Sequence, residues 1–239
     1  MRLDFVYVRL SMNISKNDVI EFIKRVATSI ILIFCIGGAY LHSALLFSFL
    51  ILSVMCIILV FEWPKLLSPD LWYFWPVTFL YPVLPCLALI HLVFRYHGSD
   101  FYVPLYPIFI AWVADTCGYL FGKVWGKHKM CPSVSPGKSW EGFAGSVVGI
   151  IIAHLVFVNV SPTIAYLMPK PLFLSIPVVS FFMATIAFLG GFFLSYLKRK
   201  HGLKDAGNLL PGHGGLLDRF DGVFFVTLVT ALMIVLGTR

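Results

Sequence analysis

Charge is scarce in this 239-residue chain: Asp, Glu, Lys and Arg together make up 12%, against 59% hydrophobic residues. So little polar surface cannot cover a water-soluble globule, which excludes a soluble enzyme and a free nucleic-acid-binding domain. The five cysteines form no C-x-x-C pair and have no histidine cluster beside them, so neither disulfides nor a zinc site is expected. Internal repeats, low-complexity tracts and soluble linkers are missing, and the chain reads as one membrane domain over 1–239. The missing repeat also tells against a secondary transporter, whose broken helices come in two matching halves. No small-residue cleavage site follows the first apolar run, so a removable signal peptide is not expected.

What the chain has is apolar runs. A bilayer core of about 30 Å needs roughly 20 helical residues, and runs of that order lie at about 26–42, 44–61, 73–94, 102–121, 142–160, 172–195 and 222–237. The reading is an all-α polytopic membrane protein with about seven spans and polar loops forming a site on one side. "GGAYLHSA" (37–44) is the only place for a turn between the first two runs, with one long helix as the alternative. The third run carries Pro76, Pro82 and Pro85, so it is expected to kink or to split into two short pieces. Residues 1–25 read as a cytoplasmic or interfacial segment, within which "NDVIEFIKRV" (17–26) has the spacing of an amphipathic helix.

Loops facing the cytoplasm carry an excess of Lys and Arg. With the N-terminus inside, fifteen of the eighteen basic residues fall on that face, leaving Arg95, Lys170 and Arg239 outside. The net charge of +7 therefore belongs to short loops facing anionic lipid, and no nucleic-acid partner is expected.

Four acids, Asp115, Asp205, Asp218 and Asp221, sit where a purely structural membrane protein does not need them. Asp218 and Asp221 are three apart in "GGLLDRFDGVFF", just before the last run. A helix starting near Leu216 puts both on one face, near an N-terminus whose dipole favours negative charge. Such a pair suits Mg²⁺, which bridges acids to substrate phosphates; a cap plus an Arg219 ion pair is the plainer alternative. The pair is not alone. "PGHGG" (211–215) offers amides able to cradle an anion, or a simple turn. His213 is either a phosphate ligand or a loop hydrogen-bond donor. Lys204 and Asp205 precede that loop, and "LKRK" (197–200) supplies bases for a lipid phosphate, or the positive-inside signal itself.

A second polar island, 114–142, opens with Asp115 inside a run, where an ionised group costs roughly 2.5–3.5 kcal/mol even on mild insertion scales. A cation, a substrate's metal or an interhelical hydrogen bond would offset that. The island closes with "SPGKSWEG" (135–142), a Ser/Gly/Lys loop suited to an anion but lacking Walker spacing. Trp140 there is either a stacking face or an interfacial anchor.

These residues carry a family resemblance. "SYLKRKHGLKDAGNLLPGHGGLLDRFD" (195–221) resembles the signature of phosphatidate cytidylyltransferases, the CDP-diacylglycerol synthases: S-x-x-K-R, four residues, K-D, then P-G-H-G-G-x-x-D-R-x-D, with every fixed position filled. Asp115, Thr116, Tyr119, Ser135, Pro136, Lys138, Ser139, Trp140, Glu141 and Gly142 resemble the family's D-T-x-A-Y…S-P-x-K-[ST]-W-E-G region, and "EWPKL" (62–66) its E-W-x-x-L. The likeness covers about 60 to 222. Two departures stand out. Cys117-Gly118 replaces a small pair such as Gly-Ala, and "GGFFLS" (190–195) replaces the G-D-L-x-E-S of bacterial members, so Gly191 and Leu194 stand where acids are usual. Eukaryotic-type members also carry Gly-Gly-Phe-Phe there.

The resemblance implies the reaction of CTP with phosphatidate to give CDP-diacylglycerol and pyrophosphate in phospholipid biosynthesis. It implies Mg²⁺, with a monovalent cation as a candidate second ion, a homodimer as a candidate assembly, and a bacterial inner membrane with the site facing the cytoplasm. Asp218 and Asp221 would hold the metal, completed by Asp205 or Asp115. Arg219, Lys204, His213 and the amides of Gly212, Gly214 and Gly215 would contact phosphates, and Lys198 and Arg199 the lipid head group. Lys138, Ser135, Ser139 and Trp140 would hold the nucleotide. A CTP-dependent enzyme with another lipid acceptor is the alternative.

Overall fold

A computed structural model describes residues 34–207, 209 and 214–237. Residues 26–33 of the first expected span and the whole amphipathic segment lie outside them.

A helical stretch 34–42, α1 among the described residues, stops at Ser43, whose extended backbone breaks the helix and whose hydroxyl accepts from Leu46 N to start α2, Ala44–Leu66. The two apolar runs are therefore separate helices. Proline shapes the next two elements. Pro64 has no N–H and crowds the preceding turn; just before it, Ile58–Glu62 widens into a π turn in which Trp63 N reaches Ile58 O. In α3, Phe74–Tyr96, Pro82 sits inside a second π turn, Phe79–Val83, so the expected distortion occurs without a split.

α4 runs Tyr106–Trp125 with Pro107 in its first turn. A short antiparallel hairpin follows, β1 Lys129–Cys131 paired with β2 Ser135–Ser139, Lys129 opposite Ser139 and Cys131 opposite Ser135. The all-α expectation misses this hairpin. Ser139 caps α5, Trp140–Val160, and Ser161 caps the short α6, Pro162–Leu167. α7, Leu172–Lys200, has 29 residues, about 44 Å at 1.5 Å per residue, so its last turn projects beyond a ~30 Å hydrocarbon layer. It closes on Gly202, whose φ of 67° is the left-handed value glycine tolerates; Gly202 N reaches Arg199 O and Leu203 N reaches Lys198 O. α8, Leu217–Gly237, begins within a residue of the expected start.

Among the described residues, α2, α3, α5, α7 and α8 are long and apolar enough to cross a membrane. α4 has the length but is too polar to join them, owing to residues such as Asp115 and Lys123. The chain is thus a helical, multi-pass membrane protein. Trp72 and Trp75 at one end, and Tyr166 and Phe173 at the other, are strongly exposed, as expected of aromatics at membrane interfaces.

Long-range hydrogen bonds sort the loops into two ends. At one, Glu62 meets the start of α8, Arg199 meets Val134 O and Lys200 meets Tyr73. At the other, Tyr40 donates to Phe101 O and Asp100 accepts from Ser161 and from Thr163 N. Ten of the twelve described Lys and Arg residues lie at the first end. Between the ends a buried chain, Tyr106 to His154 to Ser180, joins α4, α5 and α7 through two 2.7 Å bonds.

Candidate active site

The basic end gathers charged groups into an otherwise apolar bundle. Lys198, on the last turn of α7, points across to α8 and donates to Asp218 Oδ1 at 2.7 Å, with side-chain exposures of only 14% and 9%. The other oxygen, Oδ2, accepts from Ala206 N at 2.8 Å and Gly215 N at 3.1 Å. Ala206 and Gly215 are thereby held at the start of α8. Gly214, with φ of 80°, lies between Asp218 Oδ2 and Asp205: a Cβ there would stand 3.3 Å from the first and 3.4 Å from Cβ of the second.

One turn deeper, Asp221 Oδ1 takes the amide of Gly222 at 2.7 Å, while Oδ2 faces position 191 of α7. From the hairpin, Lys138 threads in to the same place. Its Nζ donates to Phe188 O at 3.3 Å, lies 4.8 Å and 4.5 Å from the ring centres of Phe188 and Phe192, and interacts with the charges of both Asp221 and Asp115. Burial pushes the Lys138 ammonium below its ordinary value, and the two carboxylates work against that shift. Arg219, exposed on the first turn of α8, acts on the charge of Asp115.

Asp218, Asp221, Asp115, Asp205, Lys138, Lys198 and Arg219 are thus brought to one end. They do not form a single ring of acids. Among the described residues no three His, Cys, Asp or Glu side chains converge as a metal cage. Asp205 flanks Asp218, whereas Asp115 acts on Asp221 and Lys138. Ser139 is buried and spends its hydroxyl capping α5, accepting from Gly142 N at 3.2 Å. Ser135 lies in β2, half-buried, and Trp140 is exposed. Lys204 is exposed, and Arg199 bonds to Val134 O and Leu203 O. Gly212 and His213 lie outside the described residues.

The missing acids of α7 have a physical account. A Cβ at position 191 would lie 2.4 Å from Lys138 Nζ, so in this chain the ammonium occupies the space a side chain would need. Leu194 is fully buried among apolar neighbours.

Sequence reasoning gave no role to Glu62. It is fully buried at the end of the α2 π turn, and accepts from Leu216 N at 2.8 Å and Leu217 N at 2.7 Å. Its signals are its place in "EWPKL", which resembles the family's E-W-x-x-L, and a carboxylate closing an apolar run directly before Trp-Pro.

The sequence pattern of the cytidylyltransferase family matches residues 11–236. The chain is a member of the cytidylyltransferase family. Curated relatives of this cytidylyltransferase-family chain include the phosphatidate cytidylyltransferases of Staphylococcus aureus strain COL, 43% identical over 125 residues, of Staphylococcus haemolyticus, 41%, and of Staphylococcus saprophyticus, 38%. Each match covers 51% of this chain and 45% of the relative, so the alignment spans a little under half of those proteins.

Proposed function

We propose that this chain is a CTP:phosphatidate cytidylyltransferase acting at the cytoplasmic face of a bacterial inner membrane. The observation that carries the reading is the burial of Lys198 with Asp218, and of Lys138 beside Asp221 and Asp115, at the basic end of an apolar bundle. Charge so placed suits a reaction between two anions.

In that reaction a phosphate oxygen of phosphatidate attacks the α-phosphorus of CTP. A new P–O bond forms, and pyrophosphate leaves with the electrons of the broken bond. A phosphate dianion is already nucleophilic, so no general base is required, and the barrier is dominated by repulsion between the reactants. Lys198 and Arg199, at the end of a helix that projects past the hydrocarbon layer, would contact the lipid head group. Lys138 reaches the nucleotide side from the hairpin, and Arg219 and Lys204 are exposed beside the same mouth. The loop amides next to Asp218 supply further donors to phosphate.

Mg²⁺ fits the donor set here. Asp221 and Asp115 present hard oxygens with mutually felt charges, balanced by an ammonium that occupies cation space, and this ion commonly binds through one or two carboxylates plus substrate phosphates. Bound there, it would neutralise the triphosphate. Asp218, tied to Lys198, would then serve chiefly to orient that base.

The test is detergent-purified protein given labelled CTP, Mg²⁺ and phosphatidate. The reading predicts labelled CDP-diacylglycerol and equimolar pyrophosphate. Product with a different lipid acceptor alone would reassign the substrate, and no product with any lipid would overturn the reading.

A further inference from the structure

A fully buried carboxylate needs compensation, and Glu62 receives it from backbone amides at the start of another helix. Its two oxygens take the amides of Leu216, just before α8, and of Leu217, its first residue, which at a helix start have no partner within the helix. The negative charge also faces the positive end of the α8 dipole. Glu62 is therefore a helix cap supplied from 154 or more positions away in sequence.

Its surroundings are shaped around it. The π turn Ile58–Glu62 ends at this residue, and Trp63 and Leu66 beside it are fully buried, with Trp63 Nε1 donating to Thr78 at 2.6 Å. Two loop glycines close over the carboxylate. A Cβ on Gly207 would stand 2.7 Å from Oε1, and one on Gly215 would stand 2.8 Å from it. Gly215 N in turn holds Asp218, so the same short segment touches Glu62 on one side and the site on the other.

We infer that Glu62 is a positioning residue: by clamping the amides of Leu216 and Leu217 at the start of α8 it sets where Asp218 and Asp221 stand relative to Lys198 and Lys138. Glu62 touches none of those side chains and acts only through the α8 backbone. The role rests on the function proposed above for its catalytic consequence, and on the hydrogen bonds alone for its structural part.

Amide hydrogen exchange of the full chain in detergent separates the two. In the wild type, the hydrogen-bonded amides of Leu216 and Leu217 are expected to exchange slowly. In Glu62→Gln, where one oxygen becomes an NH₂ facing a donor, they should exchange about tenfold faster or more while α4, α5 and α7 keep wild-type rates. The KM for CTP should rise and kcat should fall by on the order of tenfold to a hundredfold, a misplacement effect that loss of folded protein does not mimic in KM. Gly207→Ala, which presses on the same oxygen, should move both readouts in the same direction if Glu62→Gln does not fold. Fast exchange at 216–217 in the wild type, unchanged exchange in both variants, or local loosening with wild-type KM and kcat would each overturn the inference. A wild type that exchanges as expected but makes no CDP-lipid would instead sink the proposed function and leave the clamp standing.

Discussion

At the scale of single residues, position 191 shows how an absent side chain shapes the site. Lys138 stands where a Cβ would be, and the obstructing atom is the tip of a flexible chain. Gly191→Ala is therefore expected to fold with a wild-type melting midpoint yet displace the ammonium from Asp221, lowering turnover by about tenfold or more; unchanged turnover would remove Lys138 from the mechanism. Lys198→Ala leaves Asp218, whose side chain is 9% exposed, with backbone donors alone among the described residues. The predicted loss is roughly 1–3 kcal/mol of stability, measured by thermal unfolding in detergent, together with a raised KM for phosphatidate. The D-x-x-D spacing was legible because it is local: three residues on a helix start determine a shared face whatever else the fold does. Glu62 was not legible, because its partners lie more than 150 positions away and nothing in "EWPKL" says which backbone it will meet.

At the scale of elements, the crossing of α7 and α8 decides whether the acids and bases meet. A Cβ at Gly190 would strike the carbonyl oxygen of Asp221 at 2.5 Å, and backbone cannot swing aside as a lysine tip can. Gly190→Ala should therefore lower stability by roughly 1–3 kcal/mol, as overpacking does. Neighbouring glycines thus give opposite signatures, folding lost at 190 and activity lost at 191, and thermal midpoints with turnover measured on both variants check it. The helices and the break at Ser43 follow from apolar length and a capping serine, and were readable. The proline-rich third run announced a distortion, but choosing between a π turn and a split needs the packing of α3 against its neighbours. The hairpin was hidden because strands of three and five residues, one containing Pro136 and Gly137, carry no alternation to read.

At the scale of the whole molecule, the charge asymmetry that oriented the sequence reappears in space. The end holding the candidate site carries ten of the twelve described basic residues, and the opposite end carries Arg95, in the last turn of α3, and Lys170. In a cysteine-free background, Ser133→Cys in the hairpin is expected to react with a membrane-impermeant thiol reagent only after cells are permeabilised. Tyr166→Cys, at the other end, should react in intact cells. The reverse pattern would place the site on the wrong face for CTP.

The central claim is that carboxylates at the mouth of α8, held against lysines from α7 and the hairpin, drive nucleotide transfer to lipid. Its most direct test is the turnover of Asp221→Asn beside that of Asp100→Asn, an acid of the opposite end that bonds to Ser161 and nearby backbone. Asp221→Asn is predicted to lose CDP-diacylglycerol formation by about a hundredfold or more while remaining folded, with Asp100→Asn keeping turnover near that of the wild type. Near-wild-type turnover in folded Asp221→Asn protein would contradict the account.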